Sequence, residues 1–147
     1  MAVQLARIRA QENGHSVRFE VATNGTFGVE RCRWAADTLD TIVLSFDGPA
    51  DIQNDHHPYR DGRGSFEIVD RNARLLSEGA TQLYFRSCVT QQTVGRMPEI
   101  AAWFCRNYRP TGVCFEPVQP TPATEANQLQ PPDPWEFALG FVRAAEV

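Results

Sequence analysis

Strand-sized apolar runs separated by helix-period stretches recur along this sequence, and that alternation narrows the folds open to it more than any other feature. The clearest run is Thr41-Ile42-Val43-Leu44-Ser45-Phe46, rich in β-branched and apolar residues and too short for a helix. Before it, residues from about Val29 to Thr38 follow helical spacing. After it, Phe66, Ile68, Val69, Ala73, Leu75 and Leu76 do the same, with Ser65 as the expected N-cap and Gly79 as the stop. A strand from Gln82 to Thr90 follows. Met97, Ile100, Ala101, Phe104 and Cys105 then mark a helix, and Gly112 to Val118 a short strand. The chain opens on a helix carrying Val3, Leu5, Ala6 and Ile8, ends it at Glu12-Asn13-Gly14, and continues in an extended run from Ser16 to Thr23. The Pro-rich segment 117–134 reads as a loop, and residues 135–145 as a closing helix.

Strands that alternate with helices, joined by crossovers this long, build a parallel sheet with helices packed on it. The expected class is therefore α/β. At 147 residues the chain is one domain, 1–147, with about four strand–helix units, whereas a complete eight-fold barrel takes roughly 250 residues. A partial, half TIM-type barrel is the expected architecture.

Composition removes several functions. The 14 basic residues are all Arg and scattered, and 18 acidic residues leave a net charge of −4, so no basic face for nucleic acid is expected. No apolar run approaches membrane-spanning length, and residues 1–7 lack the apolar core of a signal peptide, so the expectation is a soluble, cytoplasmic protein. Cys32, Cys88, Cys105 and Cys114 are widely spaced, with no CxxC pair, and read mostly as buried thiols rather than a disulfide framework.

In parallel sheets of this kind ligands bind beyond the carboxyl ends of the strands. The sequence places polar residues there repeatedly. The first strand ends in Thr23-Asn24-Gly25, the second in Ser45-Phe46-Asp47-Gly48-Pro49, the third carries Arg86, Ser87 and Thr90, and the fourth ends near Glu116 and Gln119. Period-two alternation sets Ser45 and Asp47 on one face, and Arg86, Cys88 and Thr90 on one face. Asn24-Gly25 and Asp47-Gly48 also suit ordinary turns. Buried Ser, Asp and Arg on successive parallel strands, however, need a partner or a ligand.

Thr23-Asn24-Gly25, Ser45-Phe46-Asp47-Gly48-Pro49 and Gly62-Arg63-Gly64-Ser65-Phe66 leading into a helix together resemble the core of radical S-adenosylmethionine maturases, the group that includes anaerobic sulfatase maturases and peptide-modifying enzymes. The match in order and spacing runs from about Ser16 to Gln119. The resemblance implies that Thr23, Asn24, Ser45 and Asp47 face S-adenosylmethionine, and that Arg86 occupies a basic position suited to the cofactor carboxylate. It implies, for the parent enzyme, S-adenosylmethionine and a [4Fe–4S] cluster as cofactors, hydrogen abstraction by a 5′-deoxyadenosyl radical, and a peptide or protein substrate. The sequence also departs from the family. Where the family shows His-Asp and an Arg before the next Pro, this chain reads Gln53-Asn54 and His57-Pro58. The cluster-binding CxxxCxxC and the Gly-Gly-Glu-Pro strand end that follows it are absent, as is an auxiliary-cluster extension. The expectation is an internal barrel fragment, inactive alone, holding no cofactor itself, which forms a homodimer through its open sheet edge.

Two readings from other classes stand beside this one: a non-catalytic α/β module that dimerises, and a metal-dependent hydrolase built on Asp55, His56 and His57. Asp55-His56-His57 is otherwise expected in a solvated loop. Gly62-x-Gly64-Ser65 reads as a helix-entry turn rather than a phosphate cradle. Trp103, Phe104 and Tyr108 read as core, and Glu20 and Glu116 as salt-bridge or cleft residues rather than a catalytic pair.

Overall fold

The computed structural model describes residues 2–147, Ala123 by its main chain alone; Met1 lies outside the described residues. Four strands, β1 (Glu20–Thr23), β2 (Thr41–Ser45), β3 (Gln82–Val89) and β4 (Gly112–Pro117), form one sheet in the order β1-β2-β3-β4, every neighbour parallel. The helices are α1 (Ala2–Glu12), α2 (Val29–Thr38), α3 (Ala50–His56), α4 (Phe66–Glu78), α5 (Met97–Asn107), α6 (Pro122–Ala126) and α7 (Pro134–Ala144). A sequential strand order without reversal is the winding of a barrel. A doubly wound sheet would reverse at a switch point.

One face of the sheet is covered and the other is open. Ile42, Leu44 and Phe46 alternate with Val43 and Ser45, and the first three join Leu83, Phe85 and Val89 in the buried core. Helices supply the rest of that core at helical spacing: Cys32, Ala35 and Ala36 from α2, Val69, Ala73 and Leu76 from α4, and Met97, Ile100 and Phe104 from α5. Phe46 sits in a nest of rings, with the centroids of Phe66, Phe85, Trp103, Phe104 and Tyr108 at 5.5–6.0 Å. Each such aromatic pair adds about 0.5–1.5 kcal/mol beyond its burial. Pulling Phe46 into the helix layer obliges its neighbours Ser45 and Asp47 to turn to the other side.

The remaining side chains of β2, β3 and β4 line the open face: Val43, Ser45, Tyr84, Arg86, Cys88, Cys114 and Glu116, none of them in the core cluster. In a closed barrel this face would be the interior.

Five local expectations differ from the structure, one being that the segment 117–134, expected as a loop, holds the short helix α6. The first strand starts at Glu20, not Ser16, because the Asp40 carboxylate accepts from the Phe19 N–H at 2.8 Å and the Phe19 carbonyl accepts from the Asp40 and Thr41 N–H groups, ending the ladder there. Residues 50–56 are a helix, not a solvated loop; Pro49 and the φ of +137° at Gly48 turn the chain into it. Ser65 stands at the N-cap of α4 but its side chain caps nothing. Its hydroxyl accepts from Gln53 Nε2, and Asn54 Oδ1 takes the Phe66 N–H instead, at 2.9 Å. Of the cysteines, all free, only Cys32 is buried; Cys88 and Cys114 lie on the open sheet face and Cys105 on the outside of α5. No helix of the described residues is long and apolar enough to cross a membrane.

Candidate functional site

Asp47 lies just past the carboxyl end of β2, and each of its own polar atoms has a partner. Its N–H donates to Gln53 Oε1 (2.9 Å), and its carbonyl accepts from the Ser87 hydroxyl (3.0 Å). Carboxylate Oδ1 accepts from the Cys88 N–H at 2.8 Å, while Oδ2 accepts from His56 Nδ1 at 2.7 Å and His57 Nε2 at 3.0 Å. The Asp47 side chain is 1% exposed, that of His56 3%, and that of His57 45%. The carboxylate therefore reaches solvent only through His57.

Electrostatics follow from this enclosure. Burial pushes the Asp47 carboxyl up, but hydrogen bonds from His56 and His57, the charge of His57 and the Cys88 N–H outweigh it and hold the group below the ordinary carboxylate range. The Asp47 hydrogen bond raises His57 above an ordinary imidazole, against the opposing effect of burial. Burial, with the Asp47 and Glu116 charges, pushes the Cys88 thiol up to about 11.

His56 and His57 line a cleft of about 470 Å³ together with Asn24, Thr26, Ser45, Gln53, Pro58, Tyr59, Arg60, Ser65 and Asn127. That size lies within the roughly 300–1,000 Å³ of small-molecule sites. Glycines shape the approach to it. At Gly25, φ is +72° and a Cβ would stand 2.5 Å from Leu44 Cδ1; at Gly64 a Cβ would overlap the Asn54 amide that caps α4.

The expected site residues fall into three places. Asn24 and Ser45 line the cleft. Register sets Thr23 beside Leu44, on the helix-covered side, where its hydroxyl accepts from the Gly25 N–H. Asp47 is enclosed behind His57. Arg86 lies on the open face next to Ser45, donates to the Ser45 hydroxyl at 3.2 Å, and approaches Glu116 at 4.0 Å. Glu20 and Glu116 stand on the two edge strands and form no pair. Asp55 is exposed and apart from the two imidazoles, and among the described residues no group of three or more His, Cys, Asp or Glu is placed to hold a metal ion.

Sequence reasoning missed two residues that matter here. His56 was hidden by its place in an apparently polar run; its signal was the i+9 spacing from Asp47 across a Pro-led helix. Asn72 is fully buried on α4 and its amide donates to the Gly25 carbonyl at 2.7 Å and the Phe27 carbonyl at 2.8 Å, tying the end of β1 to the helix layer. A polar residue within an apolar helical stripe was its only trace.

The fold and cleft together define a singly wound parallel α/β half-barrel with its polar groups gathered at the carboxyl ends of the strands. No family model matches this sequence, and no curated protein matches it. Solved structures do. The chain superposes on anSMEcpe, an anaerobic sulfatase maturase solved with bound AdoMet and the Kp18Cys peptide, with a TM-score of 0.65 at 18% identity over 80% of this chain. It also superposes on a domain of pyruvate-formate lyase-activating enzyme from Bacteroides vulgatus, with a TM-score of 0.67 at 11% identity, over 98% of this chain and 83% of that one. Both are radical S-adenosylmethionine enzymes, and at these identities the likeness is one of fold. This chain spans 34% of the sulfatase maturase chain.

Proposed function

We propose that this chain is a barrel segment of a radical S-adenosylmethionine enzyme that binds S-adenosylmethionine across the carboxyl ends of β1 and β2. The observation that carries the reading is the convergence of Asn24 and Ser45 on one cleft, in a fold shared with a maturase solved with bound AdoMet. Ser45 offers a hydroxyl already oriented by Arg86. Asn24 Oδ1 is taken by the Thr26 N–H and hydroxyl, which leaves the amide N–H groups for a ligand.

The second cofactor of such an enzyme, a [4Fe–4S] cluster, does not fit the thiols described here. Cluster ligation needs several adjacent thiolates, whereas Cys32 is enclosed beneath α2, Cys105 is on the outside of α5, and Cys88 and Cys114 are held as thiols by burial and nearby carboxylates. No cleavage step is therefore assigned to this chain, and hydrogen abstraction from a peptide or protein belongs to an enzyme in which another segment carries the cluster.

Calorimetric titration with S-adenosylmethionine tests the reading. Binding that weakens about tenfold in Ser45→Val or Asn24→Leu, each with an unchanged fold by circular dichroism, supports it. No binding by the native chain would leave the non-catalytic module as the better account. That second reading is favoured by one observation: β1 pairs only with β2, and at this edge of the helix-covered face Val21 on β1 and Trp34 on α2 are exposed. We read the expected partner of that edge as a second copy of the chain. Sedimentation at micromolar concentration should then give a dimer, and a clean monomer would remove the proposal.

A further inference from the structure

Helix α7 carries apolar residues on two opposite faces, and the fold uses only one of them. Phe137, Gly140 and Ala144, at i, i+3 and i+7, form the inner face. Gly140 is buried so closely that a Cβ there would stand 2.8 Å from Met97 Sδ, and Phe137 and Ala144 pack against the core. Trp135, Leu139 and Val142, at i, i+4 and i+7, form the outer face and are 71%, 40% and 59% exposed. With Phe141, they make four of the nine large hydrophobic side chains exposed among the described residues, all on this one helix. A surface helix ordinarily turns charged residues outward, so a stripe of this kind marks a face that another body covers. The Asp133 carboxylate accepts from the Trp135 and Glu136 N–H groups at 2.9 and 3.1 Å, which fixes the turn that presents the indole.

The charges beside the stripe indicate what that body is. Glu136 and Arg143 lie seven residues apart on one flank of it, and neither side chain has a hydrogen-bond or ion-pair partner among the described residues. A second copy of the helix turned end for end about Leu139 sets its own Leu139 on this one and its Trp135 over Val142 and Arg143. Its Arg143 then meets Glu136 and its Glu136 meets Arg143, so both ion pairs close at once, as a two-fold contact requires. A groove of about 430 Å³ opens on the same flank, lined by Val94, Gly95, Pro98, Leu139, Gly140 and Arg143, with open space above Gly95. It has room for the indole of the second copy, with the Arg143 guanidinium at its rim. An anionic lipid surface, the other common cover for an apolar helix face, calls for a basic flank. Asp133, Glu136 and Glu146 against the single Arg143 give this helix and its ends the opposite sign.

We infer that the outer face of α7 is a self-docking surface on which two copies of the chain pair antiparallel through Trp135, Leu139 and Val142, with Glu136 and Arg143 setting the register. One helix pair covers less than the roughly 1,200–2,000 Å² of a standard interface, so this dimer exchanges with monomer at micromolar concentrations. The surface is separate from the β1 edge: α7 packs on α5, the helix between β3 and β4, and β1 is at the other end of the sheet. No residue of α7 lines the cleft, so the inference does not rest on S-adenosylmethionine binding.

Sedimentation velocity from micromolar to near-millimolar chain tests this. The starting protein is Val21→Lys, which puts a charge on the β1 edge and removes pairing through it. A reversible dimer is expected, and Trp135→Ala should weaken it about tenfold or more. Glu136→Arg and Arg143→Glu should each weaken it alone, because each sets like charges against each other, and a one-to-one mixture of the two should restore it. Both of these side chains are exposed, so the mixture tests the register even if Trp135→Ala fails to fold. A chain that stays monomeric throughout overturns the inference, as does one that binds anionic lipid vesicles in place of a second copy. A dimer indifferent to Trp135→Ala, or a mixture no tighter than its two components, also overturns it.

Discussion

Oδ1 of Asp47 accepts the main-chain N–H of Cys88 at 2.8 Å, so a residue just past the end of β2 is fastened to the carboxyl-terminal end of β3. Two imidazoles fill the other oxygen, and the turn between β2 and α3 is held by a single enclosed carboxylate.

Removing that carboxylate should be costly. Asp47→Ala leaves the Cys88 N–H and His56 Nδ1 buried without acceptors, and a loss of about 2–4 kcal/mol in urea unfolding is expected. Asp47→Asn keeps one acceptor oxygen but turns an amide toward one set of donors, and should fall between that and the native chain. A change below about 0.5 kcal/mol in the alanine variant would show that water replaces the carboxylate freely.

Stability should also respond to pH on both sides of this cluster. His57, raised from 6.5, contributes stability that is fully present below about pH 6.5 and is lost as pH rises through its higher folded value. Asp47, lowered from 3.8, contributes stability present above about pH 3.8 and lost as pH falls through its lower folded value. The cluster is thus worth most between those limits. Urea midpoints measured across pH should decline on the alkaline side in the native chain, and His57→Gln should remove that decline while keeping the acid one. A variant whose midpoints run parallel to the native ones would contradict this assignment.

Asn72 fastens α4 to the end of β1 through two carbonyls, those of Gly25 and Phe27. Asn72→Ala strands the buried Gly25 carbonyl, while that of Phe27 keeps Arg71 as a donor at 3.3 Å, and should cost about 1–3 kcal/mol. Because Gly25 follows Asn24, the same variant should also weaken S-adenosylmethionine binding, which calorimetry on the folded fraction would read. Unaltered unfolding would show that the loop finds other donors.

Thr81 offers the opposite case. Its buried hydroxyl oxygen has no hydrogen-bond partner among the described residues. Thr81→Val replaces that oxygen with a methyl group of similar shape and should leave stability unchanged or raise it by up to about 1 kcal/mol. A thermal midpoint that falls would reveal a partner for the hydroxyl.

Much of this architecture is written in neighbouring residues. The run from Thr41 to Phe46 specifies a strand, and the stripe Val69, Ala73 and Leu76 a helix with one buried face, because periodicity of two or of three to four is a property of consecutive positions. Alternation around Phe46 likewise set Ser45 and Asp47 on one side before any packing was known. Four parallel strands with polar carboxyl ends follow from the same order of elements, and the resemblance through Thr23-Asn24-Gly25 and Ser45-Phe46-Asp47-Gly48-Pro49 agrees with the fold of the solved radical S-adenosylmethionine enzymes.

The contents of the cleft were decided elsewhere. Sequence treated Thr23 and Asn24 alike, but pairing Thr23 with Leu44 turned one to the helices and left the other at the site. Ser65 has the right residue type for a cap, yet Asn54, twelve positions before Phe66, holds that place because α3 packs against the start of α4. His56 and His57 read as solvated, and came to share the Asp47 carboxylate, His56 buried and His57 almost half exposed, only when the short helix brought them back over the strand end. The Cys88 N–H that completes the carboxylate comes from 41 residues along the chain. Hydrogen bonds of that span depend on where separate elements come to rest, which is set by the burial of the whole core, so no local pattern of residues can announce them.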